Sequence, residues 1–242
     1  MLGLPENITV ALFDLDGVLT DTASVHMRAW TLAFNAYLTE RGAGEHKPNE
    51  DLSPFTDQDY LDFVDGRPRT DGVANFFASR RIDASASEIN AVADSKNDEF
   101  LGTLASDGVT AYPGSVQYLN AAREAGLRTA VVTSSKNGAA VLEVAGLTQY
   151  VEQRVDGNTI VEEHLRGKPA PDSYLRGAEL MGVAPRDAAV FEDAISGVQA
   201  GRSGDFGYVV GVDRVGGDQA ENMRSAGASV VVTDLADLLA TA

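Results

Sequence analysis

The chain has 242 residues, 44% hydrophobic and 23% charged, enough to bury a sizeable core in one domain or two. Its net charge of −17 argues against a general nucleic-acid-binding surface, and the lack of cysteine excludes disulfide staples and thiolate chemistry, in keeping with a cytoplasmic protein. No apolar stretch approaches the ~20 residues of a membrane span and no signal-peptide pattern opens the chain, so neither a membrane nor a nucleic acid is expected as a partner.

In chain order, Val10-Ala11-Leu12-Phe13 reads as a buried parallel strand, and Asp14-Leu15-Asp16-Gly17 stands where that strand leaves its sheet. Residues i and i+2 on extended backbone point the same way, so the carboxylates of Asp14 and Asp16 converge. Like charges that close repel unless a cation joins them or one keeps its proton. The pair therefore asks for a hard cation such as Mg²⁺, with one aspartate free to act as a nucleophile. A calcium loop is excluded, because Val18 and Leu19 occupy the places of a ligand and the required glycine.

Residues 25–40, 58–64, 72–79 and 87–104 carry helical patterns, with a polar stretch at 42–49 and no convincing strand. An all-helical block of this kind, residues 23–108, reads as a domain inserted into a core made of residues 1–22 and 109–242. The two crossings, at 20–23 and 106–109, lie in positions suited to a hinge. From residue 109 onward the pattern alternates. Helices are expected at 115–125, 137–145 and 172–181, ended by Gly126, Gly146 and Gly182, and a further helix at 195–201. Strands are expected at 127–133, 188–191, 208–212 and 229–232. The fold class that follows is α/β: a Rossmann-like parallel sheet with helices on both faces, plus an inserted helical cap domain. The acidic stretch around Asp234 and Asp237 reads as a solvated helix.

Three further strand ends or loops carry chemistry. Thr133-Ser134-Ser135-Lys136-Asn137 ends a strand in hydroxyls and opens a helix, a suitable seat for phosphate. Gly167-Lys168-Pro169-Ala170-Pro171 fixes a lysine between prolines. Glu192-Asp193 ends another strand in two acids. Four carboxylates and one lysine would hold Mg²⁺ and offset the charge of a phosphate. Each motif alone has a plainer explanation: a helix cap for the hydroxyls, a surface lysine, an acidic first helical turn. Their occurrence together at successive strand ends favours a single site. His46 and His164 do not cluster, so a histidine metal site is unsupported.

With these residues in place the chain resembles the haloacid dehalogenase-like superfamily of phosphotransferases over nearly its whole length, and within it the β-phosphoglucomutase branch. The resemblance rests on Asp14-Leu15-Asp16-Gly17-Val18 with Thr20-Asp21-Thr22, on His26 and Arg28-Ala29-Trp30, on Ser135-Lys136-Asn137-Gly138, and on Lys168-Pro169-Ala170-Pro171-Asp172. It implies that Asp14 is the nucleophile and Asp16 the general acid/base, with Mg²⁺ held by Asp14, the backbone carbonyl of Asp16, and Asp193, and with Glu192 beside it or ligating through water. It implies that Thr133, Ser134 and Asn137 hold the transferring phosphate, with Ser135 in the same loop, and that Lys168, in a cis Lys168–Pro169 setting, offsets its charge. In the cap it implies that Arg69 grips the distal phosphate of a bisphosphorylated sugar, that Lys96 faces substrate, and that Thr22 and His26 lie near the acid/base. His26 is equally compatible with a packing role, and Trp30 reads as core.

The sequence departs from the family at one cap position, where Asp65 replaces a lysine four residues before Arg69, with Arg67 as a nearby positive charge. The implied activity is conversion of β-glucose 1-phosphate to glucose 6-phosphate through an aspartyl-phosphate; the alternative is a sugar-phosphate phosphatase with water as acceptor. The implied partner is a small sugar phosphate. A signalling receiver module shares the paired acids but has about half this length and no inserted helices. The residues carry no sign of oligomeric state.

Overall fold

The computed structural model describes residues 2–64 and 69–240. Asp65 and Arg67, which distinguish this chain from the family pattern, lie outside the described residues. Among the described residues no helix is long and apolar enough to cross a membrane. The chain divides into two compact units, one built from the segments before Ala23 and after Gly108, the other from Ala23–Gly108.

The first unit is a six-stranded sheet built from β1 (Val10–Phe13), β4 (Arg128–Val132), β5 (Gln153–Val155), β6 (Ala188–Glu192), β7 (Tyr208–Val212) and β8 (Val230–Val232). Their order is β5-β4-β1-β6-β7-β8, and every neighbouring pair is parallel. Chain order runs outward in one direction from β1 through β4 to β5, and in the other through β6 to β8. Such a reversal opens a crevice at the carboxyl ends of the central strands, where ligands bind in open α/β sheets.

Both faces are covered. Val10 and Leu12, Ala130 and Val132, and Ala188 and Val190 point to one face. There they pack with Tyr174 and Ala178 of α8 (Asp172–Leu180), Val198 and Ala200 of α9 (Ile195–Ser203), and Met223 of α10 (Gln219–Ala226). The alternate residues Phe13 and Phe191 stack on each other, with centroids 4.4 Å apart, and meet Tyr118 of α5 (Pro113–Glu124) on the other face. Two-residue strands β2 (Thr20–Asp21) and β3 (Thr110–Ala111) form a separate antiparallel ribbon, which brings the outgoing and returning chain side by side. The unit is completed by α6 (Gly138–Val144), α7 (Gly157–Glu162) and α11 (Asp237–Ala240). The last of these is not merely solvated, since Leu238 within it and Leu235 just before it are buried.

The second unit is helical: α1 (Ala23–Ala43), a single turn α2 (Asp57–Asp59) that continues as a π-turn over Tyr60–Val64, α3 (Arg69–Ser79) and α4 (Ala86–Asp107). The turn α2 begins in a capping box between Thr56 and Asp59, and α4 in one between Ser85 and Glu88. Arg80 donates to the same Asp59 carboxylate oxygen at 2.7 Å and lies over the Phe76 ring. The core is aromatic. Phe34 contacts Trp30, Phe55 and Phe76 at centroid distances of 5.0, 4.8 and 4.3 Å.

Phe34 is fully buried at the centre of that cluster. Truncation leaves a cavity whose aromatic walls cannot collapse, so Phe34→Ala is expected to cost about 3–5 kcal/mol, read as a lower midpoint in chemical denaturation. A loss below about 1 kcal/mol would show that this cluster is not the unit's core.

Candidate active site

Three strands end side by side. Phe13 lies opposite Val131 of β4 and Phe191 of β6, so Asp14 leaves β1 level with Val132 and Glu192. The Asp14 amide still donates to the Phe191 carbonyl at 2.9 Å, which fixes this residue while the chain behind it turns away. Asp14 is 7% exposed and Glu192 1%.

A single ammonium joins these acids. Lys168 Nζ lies 2.5 Å from Asp14 Oδ1 and 2.6 Å from Glu192 Oε1, and donates to the Val132 carbonyl at 3.2 Å. The Lys168–Pro169 peptide is cis. Tyr174 holds the arrangement from α8: its hydroxyl donates to Glu192 Oε1 at 3.0 Å, and its ring lies 4.8 Å from the ammonium. The remaining Glu192 oxygen accepts from the Ala194 amide at 3.0 Å. Glu192 is thus engaged on both oxygens. Gly197 of α9 makes room for it, since a Cβ there would stand 1.7 Å from Oε1.

The charges do not balance. Burial pushes the Asp14 carboxyl up to about 8; Lys168 pulls it back, and Glu192 and Asp16 push it further up. Asp193 is raised well above the carboxylate range, by burial first and then by Glu192 and Asp14. Burial disfavours the Lys168 ammonium, but Asp14 and Glu192 outweigh it and hold its pKa above that of an ordinary lysine. One cation among several acids is too few for all of them to ionise.

A tight turn places Asp16. The amides of Leu19 and Thr20 both donate to the Leu15 carbonyl, and the Gly17 amide donates to the Thr20 carbonyl. Asp16 Oδ1 accepts from the Thr22 hydroxyl at 2.6 Å, and Oδ2 from the Thr133 hydroxyl at 3.4 Å. Gly17 has φ +79°, and a Cβ there would stand 1.9 Å from Asp193 Oδ2. Only glycine allows both the turn and the close approach of Asp193.

After β4, Thr133 is buried and Ser134 exposed. The Ser135 amide donates to the Thr133 hydroxyl and the Asn137 amide to the Ser135 hydroxyl, so the loop folds back on itself before α6. Gly157 supports it from behind: its amide donates to the Ser135 carbonyl at 3.0 Å, and a Cβ would stand 2.6 Å from the Ser134 carbonyl.

Asp14, Asp16, Thr22, Thr133, Ser134, Ser135, Asn137, Lys168, Glu192 and Asp193 all belong to the sheet unit, whereas His26, Arg69 and Lys96 belong to the helical unit. There His26 Nδ1 lies 2.7 Å from Lys96 Nζ, and its ring stacks on Phe100. Lys96 is 5% exposed and sits over the Phe100 and Trp30 rings. Arg69 donates to the Ala93 carbonyl at 3.3 Å. Burial, then the charges of Lys96 and Arg69, lower the His26 pKa to about 3, so its ring is neutral and accepts at Nδ1. Trp30 is core, as expected. The sequence gives no sign of Tyr174 or of Gln219, whose side chain donates to the Asp193 carbonyl at 3.3 Å. Both are single polar groups within helices.

A profile of the haloacid dehalogenase-like hydrolases matches residues 8–205. The chain belongs to that family. Among its relatives, a β-phosphoglucomutase of Mycobacterium bovis is 51% identical over 250 aligned positions, covering 99% of this chain and 94% of that protein. Hexitol phosphatase A of Escherichia coli is 32% identical, covering 78% of this chain and 76% of that one. A haloacid dehalogenase family hydrolase of Deinococcus radiodurans, solved with bound phosphate and sodium, superposes with a TM-score of 0.69 at 28% identity, over 98% of this chain and 96% of that chain. The haloacid dehalogenase fold thus accounts for the parallel sheet and for the paired acids at the end of its first strand.

The raised Asp14 pKa sets a pH dependence. A carboxyl whose folded pKa lies above its unfolded value stabilises the fold below about pH 4 and loses that contribution as pH rises toward 8. Asp14→Asn, which cannot ionise, should therefore gain stability over the wild type as pH rises. In chelator the gain should reach on the order of 1–3 kcal/mol above pH 8, after the lost ion pair with Lys168 is set against it, and should vanish near pH 4. Thermal denaturation across pH reads the difference. A variant less stable at every pH would show that Lys168 fully compensates the carboxylate.

Proposed function

We propose that the protein is a β-phosphoglucomutase, converting β-glucose 1-phosphate to glucose 6-phosphate through a phosphorylated Asp14. The observation that carries this reading is the 51% identity to a β-phosphoglucomutase across nearly the full length of both chains. The geometry supplies the means, with two carboxyls in unlike settings: Asp14 held by an ammonium, Asp16 held by two hydroxyls.

In one half-reaction Asp16 takes a proton from the 6-hydroxyl of β-glucose 1-phosphate, whose oxygen attacks the phosphorus carried on Asp14, so that the bond to Asp14 breaks and a bisphosphorylated sugar forms. In the other, an Asp14 oxygen attacks the phosphorus at C1 of that bisphosphate, the bond to the C1 oxygen breaks with a proton from Asp16, and glucose 6-phosphate leaves with Asp14 phosphorylated again. Lys168 offsets charge on the transferring oxygens, and Thr133, Ser134, Ser135 and Asn137 hold them. Arg69, Lys96 and His26 of the helical unit, acting as the family's inserted cap, are assigned to the sugar and its non-transferring phosphate. Thr22 keeps the Asp16 carboxyl oriented.

The donor set fits Mg²⁺. Among the described residues no three His, Cys, Asp or Glu side chains form a ready cage. Mg²⁺ does not require one, because it takes one or two carboxylates and completes its shell with water and phosphate. Burial and mutual repulsion raise both Asp14 and Asp193, the signature of oxygens that a hard cation would relieve. Asp14, the carbonyl of Asp16, and Asp193 would hold the ion, with Glu192 behind them on Lys168; when bound it neutralises charge on the phosphoryl oxygens.

A phosphatase reading has its own support in the 32% identity to hexitol phosphatase A. Incubation with β-glucose 1-phosphate, Mg²⁺ and a catalytic amount of glucose 1,6-bisphosphate separates the two. Glucose 6-phosphate should accumulate with little free phosphate; steady phosphate release without isomer overturns the mutase reading. In the same assay Asp14→Asn should abolish turnover, and Asp16→Ala should lower it by roughly 10²–10⁴. Near-wild-type turnover by either variant would remove it from the mechanism.

A further inference from the structure

Arg214 follows β7, and its side chain is 17% exposed. Nothing in the reaction as described uses it. Its Nε donates to the Gly17 carbonyl at 2.9 Å and one terminal nitrogen reaches the Val18 carbonyl at 3.4 Å. The other terminal nitrogen donates to the Thr233 carbonyl at 2.9 Å and pairs with Asp234 at 3.4 Å. The guanidinium also lies 3.7 Å from the centroid of the Tyr112 ring. The Tyr112 amide donates to the Leu19 carbonyl at 3.0 Å.

The contacts with Gly17 and Val18, and that of Tyr112 with Leu19, share one target, the excursion from Gly17 to Thr22 that carries Asp16 and its hydroxyl partner. The turn's own hydrogen bonds give it shape but do not anchor it to the sheet. The Val18 carbonyl receives a second anchor from the buried Ser115 hydroxyl at 2.7 Å. A planar guanidinium suits this task, because it offers several donors in a fixed fork and stacks on a ring with the same group. A lysine could not meet all these partners.

We propose that Arg214 is a positioning residue for the reaction. It ties the Asp16 turn to the loops after β7 and β8, and so holds the Asp16 carboxyl where the leaving and entering oxygens of the sugar exchange their proton. The proposal rests on the acid/base role given to Asp16 above.

The test uses two phosphoryl donors that differ in their need for an acid. A sugar phosphate leaves as an alkoxide unless protonated, whereas p-nitrophenyl phosphate leaves as a stable phenolate without help. Arg214→Lys and Arg214→Met should each lower kcat for phosphoryl transfer from β-glucose 1-phosphate by about tenfold or more, with KM changed less than about threefold. The single-turnover burst of p-nitrophenolate, which reads transfer to Asp14 alone, should fall by less than about threefold. Met223→Ala, a buried substitution on α10, serves as the comparison for plain destabilisation and should not separate the two donors. Equal losses on both donors, or no loss on either, overturn the proposal. Amide hydrogen exchange gives an independent reading: in Arg214→Lys it should quicken at residues 17–22 and stay unchanged in β1 and β4. Unchanged exchange at 17–22 also overturns it. Both donors pass a phosphoryl group to Asp14, so a wild type that releases phosphate instead of glucose 6-phosphate would refute the mutase reading and leave the donor comparison intact.

Discussion

One ammonium is shared by two buried carboxylates, and the site is arranged around that shortage of positive charge. Lys168 touches both Asp14 and Glu192, yet burial, Glu192 and Asp16 still push the Asp14 carboxyl up. A buried ion pair with perfect compensation would be inert. Here one cation is too few for all the acids to ionise, and that is what suits Asp14 and Asp193 to the hard cation proposed above. Glu192 serves by being unavailable: with both oxygens engaged, it keeps Lys168 in place and leaves the outer acids to face a ligand.

The second constraint is steric. Where acids crowd, backbone must give way, and glycine appears at both points of closest approach. Gly17 leaves room for Asp193, and Gly197 for Glu192. The same economy of space governs the loop after β4, which Gly157 approaches too closely for any side chain. The acids thus arrive from the ends of β1 and β6, and the glycines leave room for them.

The parallel strands were readable because each is a continuous apolar run ending in polar residues, from Val10–Phe13 to Ala188–Glu192. The paired aspartates were readable from spacing alone. What escaped was structure that buries little. Strand β5 has an exposed Gln and Arg in three residues, α10 has one buried residue, Met223, and the β2–β3 ribbon is two residues long on each side. None carries a periodic signal. The supporting groups escaped for another reason: Tyr174, Arg214 and Gln219 act through contacts between residues far apart in sequence, and no local pattern marks such partners. His26 stood evenly between two readings in the sequence, and the structure gives it both a stacking partner and a polar one in Phe100 and Lys96.

The polarity of β5 has a consequence beyond its difficulty as a pattern. It is an outer strand of the sheet, so one side of its backbone offers unpaired amides and carbonyls. Its exposed Gln153 and Arg154, the latter paired with Asp156, make that border unattractive to another strand. A chain with apolar residues at those two positions would fold the same sheet and gain an adhesive rim, and its likeliest fate at high concentration would be stacking edge to edge into aggregates. A border strand that gives the core a single buried residue, Val155, therefore also protects the protein's colloidal behaviour.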